Sequence, residues 1–317
     1  MIGMGAAGCV WPPGAWPQPR APRIGYISFR PGPNEFEDAF LLGLRERGWI
    51  EGRNLAIDFR WAAFDRSRVQ AMVTELLALQ PVLIVVADGS GARALIRSQS
   101  PGTAIVVPAF GDPVAQGATS SLARPDGNAT GVSVFATELA QKRLELLKEA
   151  LPGLRRVSAL YDTSAPPPSG VAISVDSGRQ IGIEVVEMPV RLPEGASAAF
   201  AAALRQGVQG VAFVSSTATI TYRTALCEQA LAHRLPTIFA NRTYLKAGGL
   251  MSYGPDLEAA FHRSAHFVDS ILKGARPAEL PIEQPSSSQL VLNQKTAMAL
   301  GLKFPQPLLL RADEVIA

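Results

Sequence analysis

Apolar positions along this chain fall into short continuous runs, separated by stretches in which they recur every three or four residues. The runs at 23–28, 82–87, 105–107, 157–161, 211–214 and 237–240 carry few polar side chains. Such runs mark strands buried on both faces of a parallel sheet. Residues 55–61 alternate as a strand, and 131–135 and 183–188 complete the strand set. Helical spacing occupies 35–47, 66–79, 92–98, 138–151, 170–181, 196–205 and 222–233. In 66–79 the residues Val69, Met72, Val73, Leu76 and Leu77 share one face. In 138–151 Leu139, Leu144, Leu146 and Leu147 point inward while Lys142, Arg143, Glu145 and Lys148 point out.

The segment 105–134 organises the first half. A buried strand ends at the polar turn Phe110-Gly111-Asp112, and a second strand leaves the same region through Gly127-Asn128-Ala129-Thr130-Gly131. Asp112-Pro113 reads as an N-cap followed by proline at the first position of a short helix. From Val157 the same alternation of strand and helix starts again. Two βαβαβ series in 317 residues predict an α/β protein of two lobes, each with its own core. After Asn241 the rhythm breaks. A glycine-flanked strand near 250–253 and a helix over 257–273 precede 277–285, whose prolines suit a rigid crossing between lobes. A strand at 290–293, a helix at 294–300 and the tail 308–316 close the chain.

Composition narrows the function. Lys and Arg total 30 against 27 for Asp and Glu, and the net charge of +3 is not gathered into any run. With aromatics at 7% and no basic segment interleaved with rings, nucleic acid is not an expected partner. Cys9 and Cys227 support neither a disulfide framework nor a cysteine metal site. His262 and His266 have the i, i+4 spacing that can hold zinc, but no third ligand lies near them in sequence, so they read as a helix face and no metal is expected. The nucleophile elbow, phosphate-binding loop, zinc-protease and C-x-x-C motifs are missing. The chain therefore reads as a non-enzyme with no cofactor. Residues 1–22 read as a leader or the remnant of an export signal; Gly3-Met4-Gly5-Ala6-Ala7-Gly8 fits a dinucleotide fingerprint only in letters, because no strand precedes it.

What recurs is a set of short polar turns between strand and helix. They are Ser28-Phe29, Asp88-Gly89-Ser90, Phe110-Gly111-Asp112, Asp162-Thr163 and Ser215-Ser216-Thr217, with Asn241 at a further strand end. Helix starts present free N–H groups and a positive dipole end, which favour carboxylates. Open α/β sheets bind ligands outside the carboxyl ends of their strands. These residues are the expected ligand contacts, with Phe29, Phe110 and Tyr253 as apolar walls.

Several ordered segments then resemble a known family. They are Gly111-Asp112-Pro113-Val114, 127–131, Lys142-Arg143-Leu144-Glu145-Leu146-Leu147-Lys148, 247–254, Ile271-Leu272-Lys273-Gly274, Ala299-Leu300-Gly301-Leu302 and Arg311-Ala312-Asp313-Glu314-Val315-Ile316. Together they resemble the substrate-binding proteins of ABC transporters, tryptophan-type branch. The resemblance implies a type 1 periplasmic binding fold: two Rossmann-like lobes, each a parallel sheet flanked by helices, joined by three crossings. It implies lobe 1 over 23–134 plus 248–283 and lobe 2 over 135–247 plus 284–317. It also implies an amino acid, aromatic ones included, or a related carboxylate in the cleft of a periplasmic monomer that serves an ABC permease and ATPase. A sensor that signals ligand occupancy to a regulatory partner is the alternative. Relatives often place Asp where this chain has Ser215-Ser216-Thr217, which loosens the expectation of an ammonium anchor in the second lobe.

Overall fold

The computed structural model describes residues 21–88, 95, 102–114, 117–134, 138–164, 169–285 and 287–317. The expected leader up to Arg20, Gly89, Ser90 and most of the helix at 92–98 lie outside the described residues. Among the described residues twelve strands form two sheets. The first holds β1 Arg23–Ser28, β2 Ala56–Trp61, β3 Leu83–Val86, β4 Ala104–Phe110 and β5 Ala129–Ser133 in the order β2-β1-β3-β4-β5, every pair parallel. The second holds β6 Arg156–Asp162, β7 Glu184–Val190, β8 Gly210–Phe213, β9 Thr237–Phe239, β10 Met251–Gly254, β11 Gln289–Asn293 and β12 Glu314–Ile316. Its order is β12-β11-β10-β9-β8-β6-β7, parallel except where β10 meets β11. The run β7-β6-β8-β9-β10 repeats the order of the first sheet, so each series folds as the same doubly wound unit.

Local signals explain the elements. β3 and the first four residues of β4 are fully buried aliphatic runs. The helix Glu35–Glu46 starts on a capping box in which Asn34 accepts from Phe36 N–H and Glu37 reaches back to Asn34 N–H. Asp65, Asp256 and Asn293 cap the helices Arg66–Ala78, Leu257–Leu272 and Gln294–Ala299 in the same chemistry. Among the elements without a counterpart in the sequence reading are the short helix Thr217–Thr221, capped by Ser216, and the 3-10 turn Arg242–Ala247, capped by Asn241; the expected tail also resolves into the helix Gln306–Arg311 and β12.

One boundary differs from expectation. Residues 248–254 do not join the first lobe, because β10 pairs in parallel with β9 and antiparallel with β11. Gly254 permits this, since a Cβ there would sit 1.9 Å from the Ala240 carbonyl oxygen. The chain returns to the first sheet only with the helix Leu257–Leu272, which packs on Glu35–Glu46 through the stacked rings of Phe36 and Phe261, 5.0 Å apart. It then runs beside β5: Ser133 N–H donates to the Glu283 carbonyl at 2.8 Å, and Glu283 N–H donates to the Gly131 carbonyl at 3.0 Å. Arg263 grips the Glu283 carboxylate with two bonds of 2.8 and 2.7 Å. Three passages therefore link the sheets, after β5, after β10 and after Glu283.

Gly131 sits where this arrangement is tightest. Its φ is +144°, and a Cβ would lie 2.0 Å from the Val107 carbonyl oxygen. Gly131→Ala should lower stability by about 3 kcal/mol or more through backbone strain and displaced strand pairing, read as the midpoint of chemical unfolding. The loop between β4 and β5 gives a pH test. Asp126 accepts from Ser120 Oγ, Ser120 N–H and Thr119 Oγ1, and these bonds hold its carboxyl down at about 2, against an ordinary 3.8. A depressed folded value contributes stability above the unfolded pKa, and that contribution disappears as pH falls through the folded one. The difference in melting temperature between wild type and Asp126→Asn should be constant above roughly pH 5 and close to nothing near pH 2.

Candidate functional site

The carboxyl edges of both sheets meet across a cleft. On the first lobe β1 continues beyond its last residue: Ala62 N–H donates to the Ser28 carbonyl at 2.9 Å, Phe64 N–H to that of Phe29 at 2.8 Å, and Ala63 N–H to that of Arg30 at 3.1 Å. Ala63 and Phe64 take left-handed backbone, with φ of +51° and +62°. A left-handed bulky non-glycine residue costs roughly 1–3 kcal/mol and persists only where its surroundings enforce it. Here the turn lifts the Phe64 ring between Phe29 and Tyr222, at 5.6 Å from each. Tyr222 belongs to the second lobe, so this aromatic row crosses the cleft. Beside it Arg223 pairs with Glu35 of the first lobe at 3.0 Å, both side chains about one quarter exposed.

Next to this row lies a cavity of about 460 Å³. Ala63, Phe64 and Asp65 line it from the first lobe, and Arg191, Leu192, Pro193, Glu194 and Tyr222 from the second. None of these eight was singled out from the sequence. A left-handed turn built without glycine leaves no compositional mark, and Tyr222 reads as an ordinary helix start.

The turns that were singled out divide into three groups. Ser28, Phe29 and Asp88 are brought together at the carboxyl ends of β1 and β3. Ser28 Oγ accepts from the backbone and Nε of Arg30 at 3.3 Å each, and Asp88 accepts from Phe29 N–H at 2.5 Å. Behind them stands a buried cluster that the sequence reading missed, in which Arg30 and the Tyr26 phenol both donate to the Glu37 carboxylate. Burial, then the Glu37 charge, push the Tyr26 phenol well above its ordinary value. The signal for Glu37 was present in the capping box Asn34-Glu35-Phe36-Glu37.

In the second group the polar side chains are occupied by their own turns. Asp112 accepts from Val114 N–H at 3.0 Å, and the Gly111 carbonyl accepts from Ser133 Oγ at 3.2 Å. Asp162 accepts from the backbone and hydroxyl of Ser164 and from Leu192 N–H, tying the end of β6 to the cavity wall. Thr163 is exposed. Ser216 caps Thr217–Thr221 by accepting from Thr219 N–H at 3.2 Å, and Asn241 accepts from Thr243 N–H at 3.3 Å. Thr219 Oγ1 lies 2.8 Å from the buried Tyr244 hydroxyl, which Ser215 also bonds. Ser215, Ser216 and Thr217 themselves are half-buried at the edge of β8.

The third group is core. Phe110 is fully buried in the cluster of Ile105 and Val107. Strict alternation would place Ala109 there instead, but the register of β4 on β5 shifts between Val107 and Phe110, and the irregularity turns Phe110 inward. Tyr253 packs on the cluster around Leu144 and Leu147, its carbonyl accepting from Arg143 Nη1 at 3.2 Å. Neither is a wall of the cavity. His262 bonds Glu46 at 2.8 Å, and no group of three metal-ligating side chains occurs among the described residues. Burial pushes the Cys227 thiol up to about 12, so it is an inert core group.

Comparison with known proteins places this architecture. A tyrosine-binding protein of Clostridioides difficile (strain R20291) is 24% identical over 88% of this chain and 80% of its own length. The ABC domain in complex with L-Trp from Streptococcus pneumonia has 24% identity and a TM-score of 0.84, covering 93% of this chain and 99% of that one. A ligand-free, open substrate binding protein with adhesive properties from Clostridium difficile has 22% identity and a TM-score of 0.65 over 93% and 99%. Residues 27–316 match the family described as ABC transporter substrate binding protein. The chain belongs to that family, whose members bind solutes rather than transform them.

Proposed function

We propose that this chain binds a small organic solute, an amino acid (aromatic ones included) or a related carboxylate, between its lobes and delivers it to an ABC permease and ATPase from the periplasmic side. The observation that carries this reading is the cavity shared by both lobes at the carboxyl edges of their sheets. Its volume of about 460 Å³ falls within the roughly 300–1,000 Å³ of small-molecule sites. Phe64 and Tyr222 supply apolar surface, while Asp65, Arg191 and Glu194 give it charged positions of both signs. The tyrosine-binding relative and the L-Trp complex support the ligand class. Among the described residues no helix is long and apolar enough to cross a membrane.

Delivery requires that solute favour the closed arrangement. A ligand shifts two conformations only by its difference in affinity for them. The contacts Arg223–Glu35 and Phe64–Tyr222 exist only while the lobes are together, so the solute and these contacts stabilise the same state.

Aromatic amino acids and benzoate should raise the melting temperature at millimolar concentration. A solute at 100 times its Kd adds about 2.7 kcal/mol of stability. Phe64→Ala and Tyr222→Ala should each weaken binding by about tenfold, the effect of losing roughly 1–2 kcal/mol of apolar contact. A broad panel of amino acids, aromatic acids and purines that gives no thermal shift, with no solute seen by native mass spectrometry of the purified protein, would sink the reading.

A further inference from the structure

Arg30 is the least explained group in the described structure. It is a charged side chain only 4% exposed, just past the carboxyl end of β1, an interior strand of the first sheet. Its own lobe fixes its orientation on most sides. Nη2 donates to Glu37, Nε to Ser28 Oγ at 3.3 Å, and the guanidinium lies over the Phe36 ring with its carbon 5.6 Å from the centroid. The remaining nitrogen, Nη1, is buried and has no hydrogen-bond partner.

A buried nitrogen without a partner is costly in physical terms. A guanidinium has five N–H donors in a planar fork and cannot shed its proton, so a buried unpaired edge keeps the desolvation cost without recovering it. The backbone of Arg30 also stands directly behind the cavity, because its carbonyl accepts from Ala63 N–H, and Ala63 lines the cavity with Phe64. Glu35, two residues before Glu37, pairs with Arg223 of the second lobe, so the start of this helix borders the cleft.

Building on the proposed cleft site, we infer that Arg30 is the receptor for the acidic group of the solute, with Nη1 donating to a carboxylate oxygen and Glu37 positioning the fork. The solute is then an aromatic or apolar carboxylate whose acid end lies toward β1 and whose body lies along Phe64 and Tyr222. In this arrangement the first lobe selects for negative charge through a side chain, independently of the helix starts that the sequence suggested as carboxylate sites. The guanidinium is pre-oriented before solute arrives, which spares the ordering cost a free arginine would meet.

The test is calorimetric titration of the full chain with L-tryptophan and L-tyrosine, and with tryptamine and tyramine, which lack only the carboxylate. Wild type should bind the acids and not the amines. Arg30→Gln alone strands the Glu37 carboxylate in the interior, so the informative variant is Arg30→Gln with Glu37→Gln, both neutral and close in shape. Its fold is checked by circular dichroism and by the melting temperature without solute. The double variant should lose affinity for the acids by roughly 30-fold or more, the scale of a buried charge-assisted pair, and lose the discrimination against the amines.

Unchanged acid binding in the folded double variant overturns the assignment. So does wild type binding the amines as tightly as the acids, or binding neither acid. If Arg30 served only to hold the fold, the melting temperature without solute would fall while the preference for acids persisted. The cleft reading fails separately: acid binding that survives Phe64→Ala, Tyr222→Ala and the double variant alike would place the solute elsewhere. Binding lost in Phe64→Ala but intact in the double variant removes Arg30 alone.

Discussion

The pairing of residues 131–133 with Glu283 is the constraint on which the rest of the structure depends. Two backbone bonds of 2.8 and 3.0 Å make the segment before the last passage a neighbour of β5, the strand before the first. The doubly clamped carboxylate of Glu283, held below its ordinary value by Arg263, anchors that segment to the helix Leu257–Leu272. Without this seam two of the three passages between the sheets would lose their fixed spacing, and the cavity lined from both would rest more heavily on cleft contacts such as Arg223–Glu35 and Phe64–Tyr222. Gly131 makes the seam possible, since any side chain there would strike the backbone of β4.

From the seam the logic runs outward to the site. The two sheets share one strand order, and residues just past the carboxyl ends of strands in both line one cavity. A parallel sheet concentrates helix starts and strand ends at the same edge, so polar turns accumulate there whatever the ligand. Many of those turns spend their hydrogen bonds on themselves. Asp112, Asp162, Ser216 and Asn241 cap or close the loops on which they sit. Surfaces left for a solute come from backbone placement: the left-handed turn at Ala63 and Phe64, the loop from Arg191 to Glu194, and the start of the helix Arg223–Ala232.

Much of the fold was legible because buried parallel strands have a loud signature. Leu83–Val86 and Gly210–Phe213 sit among continuous apolar runs, and Asn34 with Glu37, or Asp65 alone, announces a helix start. Short elements flanked by glycine were harder to assign. The strand Met251–Gly254 was recognisable, yet which sheet it joins depends on pairing with β9 and β11, which no local pattern encodes. The site was less legible for a related reason. Phe110 was expected as an apolar wall of the site, but a register shift places it in the core. Phe64 looked like an ordinary loop residue, because its role comes from a backbone state that its neighbours impose. Sequence marks helix caps well and says little about which strand-edge side chains keep an unspent valence.

The seam has a mechanical consequence. Two of the three passages leave the first sheet from hydrogen-bonded neighbours, and the third enters the clamped helix through a short turn capped by Asp256. If solute draws the lobes together, the seam side of the molecule is the part held in register, and the side carrying Phe64 and Tyr222 is the part free to change. On the delivery reading proposed above, the separation of Phe64 from Tyr222 is the quantity that reports occupancy.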